Sequence, residues 1–363
     1  MKAVVLCGGE GTRLRPFTYT QAKHLLPVAG RPVVEHALEA VRAAGITEVG
    51  IVVSPSVEKQ FRERLGDGTR LGLRIGYVLQ PEPKGLAHAV LCAEGFVGDD
   101  PFLVYLGDNL LEHGVGDVVD LFRRAGPAAV VALARVEDPR RFGVAVVAGG
   151  RVVRLVEKPQ EPPSDLAIVG AYAFTTLLFR AAREIRPSFR GELELTDCLQ
   201  WLVDGGHDVL PYEVRGWWQD VGRPGDLLVA NRLLLARVGR RVEGEVDEAS
   251  RLEGAVVVEA GARVLRSHLV GPVVVGEGAV VEDSQVGPHV ALGPGAAVCA
   301  SQVADSVVMD GARVEKAKGV RGFVVGRHAR LRGEGTPTVF LGDHSEMTVP
   351  ALGAPEAEEE AMR

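Results

Sequence analysis

Lys2-Ala3-Val4-Val5-Leu6-Cys7-Gly8-Gly9-Glu10-Gly11-Thr12-Arg13-Leu14-Arg15-Pro16 is the stretch on which the fold turns. An apolar, β-branched run is followed at once by three glycines within four positions and then by a cation. That order predicts the first strand of an α/β sheet with a loop beyond its carboxyl end, where open sheets of this kind bind ligands. Glycines without Cβ let backbone N–H groups reach phosphate oxygens as an anion-binding nest, and Arg13 adds a guanidinium fork suited to bidentate phosphate contact. A Walker A loop is excluded, since it requires Gly at position 13 followed by Lys and Ser or Thr. Leu14 excludes the dinucleotide fingerprint, which requires a small residue there. On the loop alone a plain tight turn stays as good a reading as a nucleotide site.

Outward from this stretch, residues 1 to about 225 alternate strand and helix patterns. Apolar runs at Glu48–Val53, Arg74–Leu79, Phe102–Leu106 and Ala128–Ala134 are interleaved with helical periodicity at Val33–Ala44 and Gly85–Glu94. The alternation predicts a Rossmann-like α/β domain with a mostly parallel mixed sheet and helices on both faces. Polar residues just past the apolar runs are then the candidate site. Gln80 follows Leu79, and Asp108-Asn109 follows Phe102–Leu106. A carboxylate at the end of a buried strand can hold Mg2+, which takes oxygen ligands. Asp220, in Trp217-Trp218-Gln219-Asp220-Val221-Gly222, is a second candidate that only the fold could bring to the first. Residues 226 to about 238 read as a connecting helix.

Past residue 250 the pattern becomes an imperfect hexad, with apolar residues at Leu252, Val258 and Val264, then Val274, Val280, Val286, Leu292 and Val298. It continues in five- and six-residue steps through Val303, Val308, Val314, Val320, Val325 and Leu331. Small residues between such aliphatics predict the stacked coils of a left-handed parallel β-helix, and a β-sandwich fits poorly because it would show two-residue alternation. The division expected is a catalytic domain over 1–240, a β-helix over 241–340 and a flexible acidic tail over 341–363.

The composition narrows the class. With 363 residues, two domains are the natural expectation at about 100 to 200 residues each. A 46% apolar and 25% charged composition is that of a soluble globular protein, and no run approaches a membrane span. A net charge of −7 argues against nonspecific nucleic-acid binding. Cys7, Cys92, Cys198 and Cys299 are scattered, so neither a disulfide framework nor a zinc site is encoded, and a cytoplasmic location is expected.

Ten residues beyond Arg13, Gln21-Ala22-Lys23-His24-Leu25-Leu26-Pro27-Val28 runs into Gly30-Arg31-Pro32 and a helix. With the glycine loop, this stretch resembles the signature of the sugar nucleotidyltransferases, and the resemblance extends through the first 225 residues. It is nearest to the glucose-1-phosphate thymidylyltransferases of the long form, which carry a C-terminal β-helix. The resemblance implies Mg2+-assisted, in-line coupling of a sugar 1-phosphate to a nucleoside triphosphate. It places Leu6, Gly8, Gly9, Gly11, Thr12 and Arg13 around the nucleotide, Lys23 at the α-phosphate, and Gln80, Pro83 and Gly85 at the base. Asp108 and Asp220 become the metal carboxylates. Asn109, Gly143 in Arg141-Phe142-Gly143-Val144, Glu157 and Lys158 in Val156-Glu157-Lys158-Pro159, Tyr172 and Arg190 form the sugar-phosphate shell. Phe142 stands where the family commonly has tyrosine, and His24 where thymidylyl relatives commonly have glutamine.

Anions brought together in such a reaction require fixed cations, which Arg13 and Lys23 would supply. Nothing in the chain supplies an activated nucleophile, so a ternary mechanism without a covalent enzyme intermediate is expected. Glucose 1-phosphate with dTTP is the first substrate pair. UTP or N-acetylglucosamine 1-phosphate is the enzymatic alternative, since a single methyl group is worth only about 1 to 3 kcal/mol. A noncatalytic, scaffolding relative is the alternative of another class, disfavoured because the charged residues are all retained. A β-helix that transfers an acetyl group would call on residues such as His268, His289 or His328. Assembly into a homo-oligomer through the β-helix is also expected.

Overall fold

The structure is a computed structural model and describes residues 1–333 and 339–349. The chain forms two compact units. Met1–Glu10, Gln21–Leu25 and Val33–Asp220 make the first, while Gly11–Thr20, Leu26–Pro32 and the chain from Val221 onward make the second.

The first unit is built on a nine-stranded mixed sheet. Lys2–Leu6 lies between Phe102–Leu106 and Glu48–Val53, parallel to both, and Arg74–Leu79 extends that parallel side. Leu166–Phe174 pairs antiparallel with Phe102–Leu106 and leads to the hairpin of Gly143–Ala148 and Arg151–Glu157. Ala129–Arg135 and Val209–Glu213 complete the sheet beside it.

Both faces are covered because successive side chains of a strand point to opposite sides. Ala3, Val5 and Cys7 pack with the helices Val33–Ala43, Glu58–Leu65 and Gly116–Ala125. Val4 and Leu6 pack with Leu86–Cys92, Leu177–Glu184 and Leu195–Asp204. A strand buried on both faces reads as the continuous apolar run seen in the sequence. Four expected strands, at 2–6, 48–53, 74–79 and 102–106, end where expected, and the fifth runs one residue later, over Ala129–Arg135.

In the second unit, the helix Pro224–Leu235 starts on a proline at its first position, and Asp226 accepts hydrogen bonds from the N–H groups of Gly222 and Arg223. The chain then winds into coils whose short strands stack in three parallel sheets, the left-handed parallel β-helix expected. Val256, Val273 and Val290 stack in register from coil to coil, and after a coil one residue shorter Val307 pairs with Ala291 and then with Val324. One corner is tied by a ladder in which Ser267, Ser284 and Ser301 each accept a hydrogen bond from the N–H of the next coil.

Two details differ from the hexad as read from the sequence. Val273, Val275 and Val281 fill the interior, whereas Val274 packs outward with Leu235 and Val257. Runs of adjacent valines hide the phase, and the connecting helix makes an outward position apolar. The β-helix also continues past residue 340, with strands at Phe340–Leu341 and Glu346–Val349, and so into residues that the sequence reading gave to the tail. The run Glu356–Glu360 lies outside the described residues. No helix among the described residues is long and apolar enough to cross a membrane.

Candidate functional site

Strand register assembles the centre of the site. Leu6 opposite Leu106 sets Cys7-Gly8 beside Gly107-Asp108, and a Cβ on residue 107 would run into the Cys7 sulfur. The Lys23 ammonium is ion-paired with Asp108 Oδ2, with both side chains largely buried. Gly9 makes room for that lysine, since a Cβ there would lie 3.1 Å from Lys23 Cε and 3.3 Å from Nζ. Asn109 Nδ2 donates to Asp108 Oδ1 at 3.1 Å and to Asp220 Oδ1 at 3.4 Å. Asp220 reaches this position because Trp218–Asp220 pairs antiparallel with Asn109–Leu111.

The charges here hold one another. Burial alone would raise the Asp108 carboxyl, but the Lys23 ammonium, with smaller help from the Asn109 amide, holds it below the ordinary carboxylate range. Burial works against a charged Lys23 too, and Asp108, seconded by Asp220, overcomes it and raises the amine. His24 is pushed down to about 3 by burial and then by the neighbouring ammonium, so its ring is neutral. Burial, with Asp108 behind it, raises the Cys7 thiol, which is therefore protonated.

Gln80 emerges from Arg74–Leu79 and is nearly buried, with its Oε1 directed toward Gly8, where a Cβ would come within 2.7 Å of it. Gly85 has a φ of 100° and would, with a Cβ, collide with the backbone of Leu193. The demand for glycine at 85 thus arises inside the protein. Pro83 is exposed in the turn between them. Leu6 is a core residue whose carbonyl accepts from the Gly107 N–H.

A second cluster lies at the edge hairpin. Glu157 Oε2 accepts a 2.6 Å hydrogen bond from Thr196 Oγ1, while Glu157 Oε1 lies 3.3 Å from Lys158 Nζ and 3.6 Å from Arg190 Nη1. Gly143 borders this pair, since a Cβ would come within 2.8 Å of Thr196 Oγ1 and 3.0 Å of Glu157 Oε2. Tyr172 is buried, and its phenol is raised by burial and by Glu157. Phe142 makes an edge contact with Trp218, ring centroids 5.1 Å apart, and so joins this cluster to the carboxylates.

In the second unit, Gly11 adopts a φ of 66° and its carbonyl accepts from Thr18 Oγ1 at 2.7 Å. Thr12–Leu14 is a single 3-10 turn with Leu14 fully buried and Thr12 and Arg13 exposed. The loop therefore does not open an α-helix as a dinucleotide loop does.

Asn109, expected in the sugar-phosphate shell, is engaged with its protein neighbours at both ends of its amide. Its Oδ1 accepts from Trp218 Nε1 at 2.6 Å and from Gly170 N at 3.4 Å, while its Nδ2 serves the two carboxylates. An amide engaged at both ends holds Asp108 and Asp220 in place. Trp218 and Thr196 act in the site although sequence reasoning gave them no role. Trp218 stands in the motif quoted for Asp220, but only the pairing of distant segments shows what either residue touches.

The donor chemistry of the carboxylate pair suits one class of cation. Among the described residues no cluster of three or more His, Cys, Asp and Glu could enclose a metal. Two aspartates linked by one amide fit a hard divalent ion that completes its shell with water and phosphate oxygens. They do not fit zinc or another metal that needs nitrogen or sulfur ligands.

Comparison with known proteins points the same way. The sequence profile of the family described as nucleotidyl transferase matches residues 2–237. The chain is 46% identical over 356 residues to the glucose-1-phosphate thymidylyltransferase of Streptomyces griseus, covering 96% of this chain and 99% of that one. A Bacillus anthracis crystal structure, described as a glucose-1-phosphate thymidylyltransferase in complex with sucrose, superposes with a TM-score of 0.61 at 37% identity. It covers 64% of this chain and 94% of that one. A UDP-glucose pyrophosphorylase complexed with UDP-glucose superposes with a TM-score of 0.59 at 27% identity, covering 65% of this chain and 98% of that one.

Proposed function

The chain belongs to the nucleotidyl transferase family and is a sugar-1-phosphate nucleotidyltransferase, and from that premise we propose that it converts glucose 1-phosphate and dTTP to dTDP-glucose and pyrophosphate. Near full-length similarity to a glucose-1-phosphate thymidylyltransferase supports the substrate pair. The reaction needs no covalent enzyme intermediate. A phosphate oxygen of the sugar 1-phosphate attacks the α-phosphorus as the bond from that phosphorus to the bridging oxygen breaks, and pyrophosphate leaves with the electron pair.

The observation that carries the reading is the Lys23–Asp108–Asn109–Asp220 chain of contacts. Lys23 keeps its proton because Asp108 offsets the effect of burial, so a permanent cation is available to the α-phosphate. Arg13 binds the pyrophosphate portion, and the backbone of Gly8, Gly9, Gly11 and Thr12 lies along the phosphates. Asp108 and Asp220 hold Mg2+, which supplies charge neutralisation on the phosphate oxygens when bound. Gln80, with Pro83 and Gly85 around it, forms the base subsite. Gly143, Glu157, Tyr172, Lys158 and Arg190 receive the sugar 1-phosphate, Glu157 accepting from hydroxyls and Lys158 meeting the phosphate. Four free cysteines support a cytoplasmic setting, and the β-helix is the proposed route to a homo-oligomer.

The superposition with a UDP-glucose pyrophosphorylase favours UTP as the second reading. Initial rates over a grid of four nucleoside triphosphates and several sugar 1-phosphates test both. The proposal expects the highest kcat/KM for dTTP with glucose 1-phosphate. A tenfold preference for UTP or for an amino sugar would replace the substrate pair without touching the reaction class.

A further inference from the structure

We propose that His88 is a specificity-positioning residue that locks the Gln80 amide in one orientation, so that only a base presenting an N–H at its pairing edge is accepted. The inference rests on the reading of Gln80 as the base contact. A free glutamine amide can donate and accept, and by rotating half a turn it could serve thymine or cytosine alike. Gln80 is not free to do so. Its Nε2 lies 3.1 Å from the Gly85 carbonyl oxygen, which can only accept. That contact fixes the nitrogen end toward Gly85 and directs Oε1 toward Gly8. The same Nε2 lies 3.2 Å from His88 Nδ1. Both N–H bonds of the amide are then committed when Nδ1 is unprotonated, and the ring proton is on Nε2, which faces the weakly accepting Cys92 sulfur at 3.9 Å.

His88 and Cys92 stand four residues apart on the helix Leu86–Cys92, so one face of that helix presents the chain of contacts. What Gln80 offers a ligand is Oε1 alone, an acceptor. The imide N3–H of thymine or uracil satisfies it. Cytosine presents a lone pair at N3, which would meet the lone pairs of Oε1. Turning the amide to suit cytosine would set its oxygen against the Gly85 carbonyl oxygen, which can only accept, and against His88 Nδ1 while that nitrogen carries no proton. The structure thus makes the rejection of cytosine a property of His88 and the Gly85 carbonyl together.

The test compares kcat/KM for dTTP and dCTP, at fixed glucose 1-phosphate and Mg2+, in the wild type, His88→Leu, His88→Asn and Gln80→Ala. His88→Leu removes the acceptor and is expected to lower the dTTP to dCTP ratio at least tenfold, mainly by raising kcat/KM for dCTP. His88→Asn can place Oδ1 near the position of Nδ1 and is expected to restore most of the ratio. A ratio unchanged in His88→Leu, even with both rates reduced, overturns the inference, because a merely structural role would affect the two nucleotides alike. A ratio that stays low in His88→Asn also overturns it, since ring packing would then be the cause. If Gln80→Ala leaves the ratio unchanged, the base-contact reading itself fails and the role of His88 with it. A ratio that falls in Gln80→Ala but not in His88→Leu removes only the role of His88.

Discussion

Asn109 and Asp220 stand opposite one another in an antiparallel strand pair, 111 residues apart in the chain, and the Asn109 amide spans the two carboxylates from 3.1 Å on Asp108 to 3.4 Å on Asp220. The aspartates nevertheless differ in what else they do. Asp108 also neutralises a buried ammonium. Asp108→Asn and Asp220→Asn should therefore both cut turnover by at least about 100-fold, the order expected when one electrostatic element of the transition state is lost. Asp108→Asn should also cost about 3 kcal/mol of stability, through the unpaired charge left on Lys23. Rates across a Mg2+ series and urea midpoints separate the two effects, and near-normal turnover in both variants would remove the metal assignment.

The Asp108 pair also has a pH signature. The carboxyl is held low in the folded chain, so its contribution to stability is fully present above the unfolded value of about 3.9 and is lost as pH falls toward the folded value. Denaturant midpoints of wild type and Asp108→Asn should converge as pH is lowered from about 5 to about 2. A constant gap across that window would mean that the Lys23–Asp108 pair is not what the substitution removes.

Gly9→Ala places a methyl group against Lys23 Cε and Nζ. The obstructing atoms are the end of a flexible side chain, so the fold should survive while the ammonium is displaced. The lysine must give by a few tenths of an ångström, which should lower the rate by less than the roughly 100-fold that a misplacement of about 1 Å costs. Activity and thermal melting measured on the same sample decide it. Unchanged kcat would mean that Lys23 does not act from the position it holds beside Asp108.

Much of this arrangement is legible in the sequence, and what is not has a common cause. The strands at 2–6 and 102–106 declare themselves because both their faces are buried, and Gly8 and Asp108 follow from their carboxyl ends. The amide bridge of Asn109 depends on two three-residue strands that no local pattern marks. Gly85 and Gly143 read as glycines for a ligand, yet the atoms they make room for belong to Leu193, Thr196 and Glu157. The phase of Val273–Val275 was hidden because an outward position is apolar where a helix covers it. Local chemistry is written in neighbours, whereas long-range pairing is decided by register.

Lys158→Ala should weaken glucose 1-phosphate binding by about tenfold or more and dTTP binding little, because Lys158 lies with Glu157, Arg190 and Thr196 at the hairpin edge. Loss of the ammonium also leaves Glu157 with one cation fewer. Titration calorimetry with each ligand separately measures the two losses. Equal losses would mean that the hairpin cluster is not a separate sugar-phosphate subsite.

The β-helix is expected to join subunits, and a chain ending near residue 240 to keep the complete set of catalytic residues and some activity. The second unit argues for an additional role. Thr20 Oγ1 donates a 2.6 Å hydrogen bond to Asp343, whose carboxylate also accepts from the N–H and Nε of Arg327. Pro16 packs so closely on Gly342 that a Cβ there would lie 3.0 Å from it, and Ala29 N–H is held by Asn231 Oδ1 at 2.9 Å. The segment carrying Arg13 is thus seated on the last coils. Truncation near 240 should raise KM for dTTP as well as altering assembly mass and melting point. Thr20→Val isolates the first effect. It removes one donor to a charged acceptor, worth about 1.5 to 3 kcal/mol at most, and should raise KM for dTTP several-fold while light scattering shows the wild-type mass. If truncation alters mass and melting point but leaves KM for dTTP unchanged, the coil is an assembly element only. If Thr20→Val alters the mass as well, the seat of the loop and the subunit contact are one feature.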